Sequence, residues 1–181
     1  RMDDNGLLWQ GEEGRALTWM DAVVDGRPVT QRKGYAVEIN ALWYNAISFA
    51  IEMATYAADQ KFVDEWIDIA TDLPMHFQLN FWSDEHGYLA DCVRPDYRDF
   101  SVRPNMLFAV SLPYSPITDR MRKAVVDKVK AELLTPRGIR TLSPSSPDYH
   151  PTCQGSQAER DMAYHQGTVW PWLLGPFVDA Y

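Results

Sequence analysis

A chain of 181 residues, 46% hydrophobic and 23% charged, is long enough for one domain with a sizeable core. Its formal net charge of −8, with no Lys/Arg cluster to neutralise phosphates, argues against a nucleic-acid partner. No apolar run approaches the ~20 residues that span a bilayer, and Cys92 and Cys153 have no CxxC partner, so no membrane helix, disulfide framework or zinc site is implied.

The chain opens on Arg1 in mid-pattern with no apolar leader segment, and Tyr181 falls inside a helical pattern. The expectation is therefore a single, incomplete domain over residues 1–181, with reduced thiols in the cytoplasm. Asp3, Asn5, Gly6 and Glu12 fit part of a calcium-loop pattern. Its first ligand position would be Arg1, so a turn leading into a short strand at Leu7–Gln10 is the better account.

The stretch from Leu17 to Asn40 then concentrates chemistry. A short aromatic run delivers Trp19 and Asp21, a turn follows at Asp25-Gly26, and Arg32 and Lys33 precede a second turn at Gly34. A long helix then begins with Glu38 and Asn40 in its first turn. Two carboxylates, an arginine and an indole in so short a span suit sugar chemistry, because an acid against an aromatic wall holds its proton toward neutral pH. The same spacing also suits a turn cap at Asp21 and a favourable first-turn acid at Glu38.

From Val37 to Ala57 apolar residues occupy most of the helix circumference, which predicts an inner helix. Phe62, Trp66, Ile69, Ala70, Leu73 and Phe77 follow the one-faced spacing of an outer helix, with a kink or break expected at Pro74. Residues 83–87 are irregular, and Tyr88–Val93 reads as a short strand or hairpin arm. Arg103-Pro104-Asn105 starts a third helix over Met106–Leu112, again apolar on most sides. Thr118-Asp119 caps a fourth, with Met121, Val125, Val129 and Leu133 on one face. Residues 135–165, with four prolines, read as a long functional loop, and Tyr164-His165-Gln166-Gly167 leads into a fifth helix from Val169 to Val178. Inner and outer helices alternate, and each inner one follows a polar, ligand-like segment: EIN, RPN or YHQG. That pattern predicts an all-α chain, part of an α/α toroid with long loops and short strand segments at the face where these polar segments gather.

The ordered set TWMDA, PVTQR, VEINALWYNA, SVRPNMLFAVSLP, LLTPRGIRTLSP and AYHQGTVWPWLLGPFVDAY resembles the amylo-α-1,6-glucosidase catalytic domain of bacterial glycogen debranching enzymes over nearly the whole chain. The resemblance implies an (α/α)6 barrel, of which this chain would be part, hydrolysing α-1,6-linked glucose at glycogen branch points, with inversion and with neither metal nor organic cofactor. It implies a branched α-glucan as partner. It matches Asp21 to the general acid and sets the general base in a segment beyond residue 181, so these 181 residues alone are expected to be inactive. Arg32, Glu38, Asn40, Arg103, Asn105, His165 and Gln166 become the substrate-binding set, with Trp19 and Trp170 as stacking platforms; Trp43, Trp66 and Trp172 are assigned to the core. Self-association through an open apolar edge is a further expectation. A non-catalytic carbohydrate-binding domain, or another toroid enzyme such as an exo-glycosidase or epimerase, fits the same residues.

Overall fold

Short antiparallel ladders join the helices of this chain. The computed structural model describes residues 1–181. Six helices run in chain order: α1 (Val37–Tyr56), α2 (Gln60–Phe81), α3 (Phe108–Ser111), α4 (Asp119–Glu132), α5 (Gln157–Tyr164) and α6 (Leu174–Ala180). Between them lie β1 (Trp9–Gln10), β2 (Val23–Val24), β3 (Arg27–Pro28), β4 (Gly34–Ala36), β5 (Trp82–Ser83) and β6 (Tyr88–Leu89). The set is completed by β7 (Cys92–Arg94), β8 (Tyr97–Asp99), β9 (Leu134–Thr135), β10 (Gly138–Arg140) and β11 (Val169–Trp170). They form four separate sheets, ordered β1-β4-β7-β8, β11-β10-β9, β2-β3 and β5-β6.

The expected all-α class, and with it the part-toroid assignment, is thereby corrected to a mixed one. The cause lies in the connections. Buried backbone needs hydrogen-bond partners, and segments lying against helices find them in two- and three-residue ladders. Asp25 (φ 49°) and Gly26 (φ 73°) both sit in the left-handed region, the geometry of a tight hairpin turn, and so pair Val23 with Pro28 and Val24 with Arg27.

Three further elements depart from the periodicity. Helix α2 runs unbroken through Pro74. The stretch 135–165 is not a continuous loop: it holds β10 and α5, whose capping box pairs Ser156 with Glu159. Val169–Trp170 is a strand paired with β10, and the last helix starts only after a 3₁₀ turn at Pro171–Leu173.

Helices α1 and α2 form a hairpin joined through Ala57–Asp59, and Asp59 caps α2 by accepting from the Phe62 N–H at 3.2 Å. Trp43 and Trp66 meet edge to face across it, with centroids 5.8 Å apart. The core gathers Leu73, Phe77 and Phe81 of α2 with Val125 and Val129 of α4 around the buried stretch Met106–Leu107. Helix α1 is buried on one side only, since Leu42, Phe49, Met53 and Tyr56 form an exposed stripe. No helix is long and apolar enough to cross a membrane.

Sheet register then places the polar residues that matter. In β4–β7 Ala36 faces Cys92, so Asp91 lies beside the start of α1, and its carbonyl accepts the Val37 N–H at 3.1 Å. Arg32 enters the same corner two residues before β4, and Glu38 leaves it in the first turn of α1.

Candidate active site

Eleven polar or charged residues are buried, and most belong to one connected set. At its centre the Arg32 guanidinium makes a bidentate contact with both oxygens of Glu38. On its other edge Nε donates to Asp91 Oδ2 at 2.7 Å, and NH2 to Asp91 Oδ1 at 3.2 Å and to the Asp91 carbonyl at 3.1 Å. Planar, five-donor geometry is what lets one side chain hold two carboxylates at once. Burial alone would lower the Arg32 pKa, but Asp91 and then Glu38 outweigh it and raise it well above its ordinary value.

A second arginine organises the YHQG segment. Arg103 NH1 donates to the His165 carbonyl at 2.8 Å and the Thr141 carbonyl at 3.2 Å, and NH2 donates to Gln166 Oε1 at 2.6 Å. Its Nε has no hydrogen bond and faces Asp91 Oδ2 at 3.9 Å. Burial lowers its pKa, with Asp91 opposing. Two guanidinium groups and two carboxylates thus share the interior, a balanced sum that keeps either sign from standing alone. Gly167, at φ 141°, completes the segment: a Cβ there would lie 2.5 Å from the His150 carbonyl oxygen and 2.6 Å from the Tyr149 ring.

Above this network sits an aromatic cluster. Trp19 packs edge to face on His165 at 5.2 Å and on Trp172 at 5.1 Å, while Trp170 stacks on His165 at 6.0 Å and 14°. The Trp19 indole N–H donates to Asn105 Oδ1 at 2.7 Å. His165 is 2% exposed, and its Nδ1 has no hydrogen-bond partner. Burial pulls its pKa down to about 4, with Asp21 opposing and Arg103 adding, so the ring is neutral at pH 7. Asp21 itself is exposed, at the rim of this cluster and close enough for its charge to act on His165.

The structure therefore brings Trp19, Arg32, Glu38, Arg103, Asn105, His165, Gln166 and Trp170 into one assembly with Asp21 at its edge. Asn40 stands apart: its amide bonds the Leu8 backbone at 2.7 and 3.2 Å and ties the N-terminal segment to α1. Trp172, assigned to the core from sequence, is 46% exposed beside Trp19. A groove of about 660 Å³ opens elsewhere, and Arg32 is the only one of these residues in its lining. Asp91, 2% exposed, was missed by the motif reading. Its available signal is a single carboxylate inside the apolar run Tyr88-Leu89-Ala90-Asp91-Cys92-Val93, which demands a buried partner.

Comparison with known proteins gives the family of the chain. The family described as Amylo-alpha-1,6-glucosidase matches residues 1–181. The chain belongs to that family. It is also 28% identical to the glycogen debranching enzyme of Saccharomyces cerevisiae, over 97% of this chain and 14% of the yeast protein. The chain thus spans about a seventh of the length of that relative.

Proposed function

We propose that this domain carries the acid half of an amylo-α-1,6-glucosidase site, acting on α-1,6 branch points of glycogen-type glucans. The observation that carries it is a lone carboxylate, Asp21, standing at the rim of Trp19, His165 and Trp170, residues fixed from below by the Arg32–Arg103 network. Indole faces and a neutral imidazole suit the apolar faces and hydroxyls of glucose. Asp21 protonates the glycosidic oxygen as the bond opens toward an oxocarbenium-like state. Inversion needs a second carboxylate ~6.5–9.5 Å away to activate water on the opposite face. Glu38 and Asp91 are both committed to Arg32, so this reading takes the base from outside residues 1–181. It also gives Glu38 and Arg32 the role of supporting the site rather than touching sugar.

The test is Asp21→Asn in the full-length protein, assayed for glucose release from a limit dextrin and from a glucoside whose leaving group needs little protonation. The expected loss is ~10²–10⁴-fold in turnover on the dextrin, with a much smaller loss on the activated substrate. Equal losses on both would count against proton donation, and wild-type activity on dextrin would remove Asp21 from the chemistry. Glucan binding without glucose release in the wild-type protein would instead favour a carbohydrate-binding module, which the same partly exposed aromatic cluster also fits.

A further inference from the structure

The loop that delivers Asp21 has little backbone support. Residues 16–21 lie in no helix or strand and make no backbone–backbone hydrogen bond. Side chains hold it instead: Met20 is fully buried, and the Trp19 indole is bonded to Asn105. The orientation of that amide is therefore decisive. A carboxylate only accepts hydrogen bonds and an indole N–H only donates, so the amide between them must present its NH₂ to one and its oxygen to the other. Asn105 does this, with Nδ2 donating to Asp91 Oδ1 at 2.7 Å and Oδ1 accepting from Trp19 at 2.7 Å. The reversed amide would set oxygen against carboxylate and NH₂ against indole N–H, two repulsive contacts in a dry interior. Asn105 Nδ2 also lies 3.6 Å from the Met20 sulfur, so the same amide touches the residue next to Asp21.

We propose that Asp91 is a positioning residue for Asp21, acting through Asn105, Trp19 and Met20. Its charge selects the amide orientation, the amide fixes the indole, and the indole fixes the loop. Asp91 thereby sets the rate at the sugar site while lying beneath it. The link to rate rests on reading Asp21 as the proton donor; the relay itself does not.

The experiment uses the full-length protein with Asp91→Asn and Trp19→Phe, singly and together. Trp19→Phe keeps an aromatic ring at this position and removes the terminal donor of the relay. Each single change should lower kcat on limit dextrin about tenfold with KM moving less than about threefold, as expected when orientation rather than binding is lost. The double variant should be no more than about twofold slower than the worse single, because both cut one chain of contacts. Labelling with 5-fluorotryptophan supplies a readout independent of chemistry. The resonance that vanishes in Trp19→Phe should shift or broaden in Asp91→Asn, while those of Trp43 and Trp66 stay in place. If Asp91→Asn does not fold, Asn105→Leu removes both ends of the amide while Asp91 keeps Arg32, and should give the same kcat loss and the same shift. An unmoved Trp19 resonance, or multiplicative losses in the double variant, would overturn the relay. A shifted resonance with Asp21→Asn fully active would instead sink the proton-donor reading and leave the relay standing.

Discussion

Replacing Arg32 by Met separates a supporting role for Glu38 from a sugar-binding one. The Arg32, Glu38 and Asp91 side chains are 2%, 3% and 2% exposed, so nothing from solvent can take over. Glu38 accepts hydrogen bonds from Arg32 alone, whereas Asp91 would keep the Asn105 amide at 2.7 Å and Arg103 Nε at 3.9 Å. The single change therefore orphans one buried carboxylate, a loss of about 3–5 kcal/mol in unfolding free energy. Removing Glu38 as well, in Arg32→Met with Glu38→Leu, leaves Arg103 and Asp91 as a balanced pair, and should recover more than half of that loss. Glu38→Gln alone should also lower stability, because Arg32 loses one of its two counter-charges. The assay is urea denaturation at neutral pH, with an unchanged m-value required for the comparison. A loss under about 1 kcal/mol for Arg32→Met, the range of exposed pairs, would refute the reasoning. So would a Glu38→Gln protein of wild-type stability and raised KM, the signature of a carboxylate free to bind sugar.

Two other perturbations report on the YHQG segment. With its pKa lowered from 6.5 to about 4 by burial, His165 binds fewer protons folded than unfolded between those limits. Its contribution to stability is therefore complete above pH 6.5, and up to about 3 kcal/mol is lost as pH falls to 4; His165→Gln should remove that part of the acid slope, and identical slopes would show that the ring is not buried neutral. Gly167→Ala should cost more than about 2 kcal/mol, since the residue would be strained at φ 141° and would also collide with His150 and Tyr149; a thermal midpoint within a degree of wild type would contradict that packing.

The helices α1, α2 and α4 were legible because each repeats an apolar spacing over fourteen or more residues. The ladders were not, since a strand of two residues shows no alternation and exists only through its partner. Helix α5 was hidden for the opposite reason: Ser156 and Glu159 spell a capping box, but eight residues amid Pro-, Ser- and Gly-rich sequence read as loop. The apolar circumference of α1 suggested burial on most sides, yet Leu42, Phe49, Met53 and Tyr56 face outward in this chain. At the site, the EIN, RPN and YHQG segments pointed to Glu38, Arg103, Asn105, His165 and Gln166 by their place before helices. What each side chain touches was beyond reach. Arg32 meets Asp91 across 59 residues, and Arg103 meets Gln166 across 63, contacts fixed by sheet register and helix packing rather than by local spacing.

The network is an expensive way to build a core, which bears on why it lies under this loop. Apolar residues of equal volume in place of a buried ion set are often neutral or stabilising, so stability alone does not call for two arginines and two carboxylates here. Apolar packing is also tolerant of rotation: it resists a change of separation but hardly a change of angle. A bidentate guanidinium and a polarised amide are not tolerant, because their energy falls steeply with angle and distance. On the proposed reading of Asp21, an acid that must meet a glycosidic oxygen needs its loop held within about 0.5 Å, and residues 16–21 lack the backbone ladder that usually supplies such rigidity. Directional side-chain bonds take its place. The Glu38–Arg32–Asp91–Asn105–Trp19 chain runs from the first turn of α1 to the residue two before Asp21, the route by which the proposed relay carries the rigidity of a twenty-residue helix to that loop.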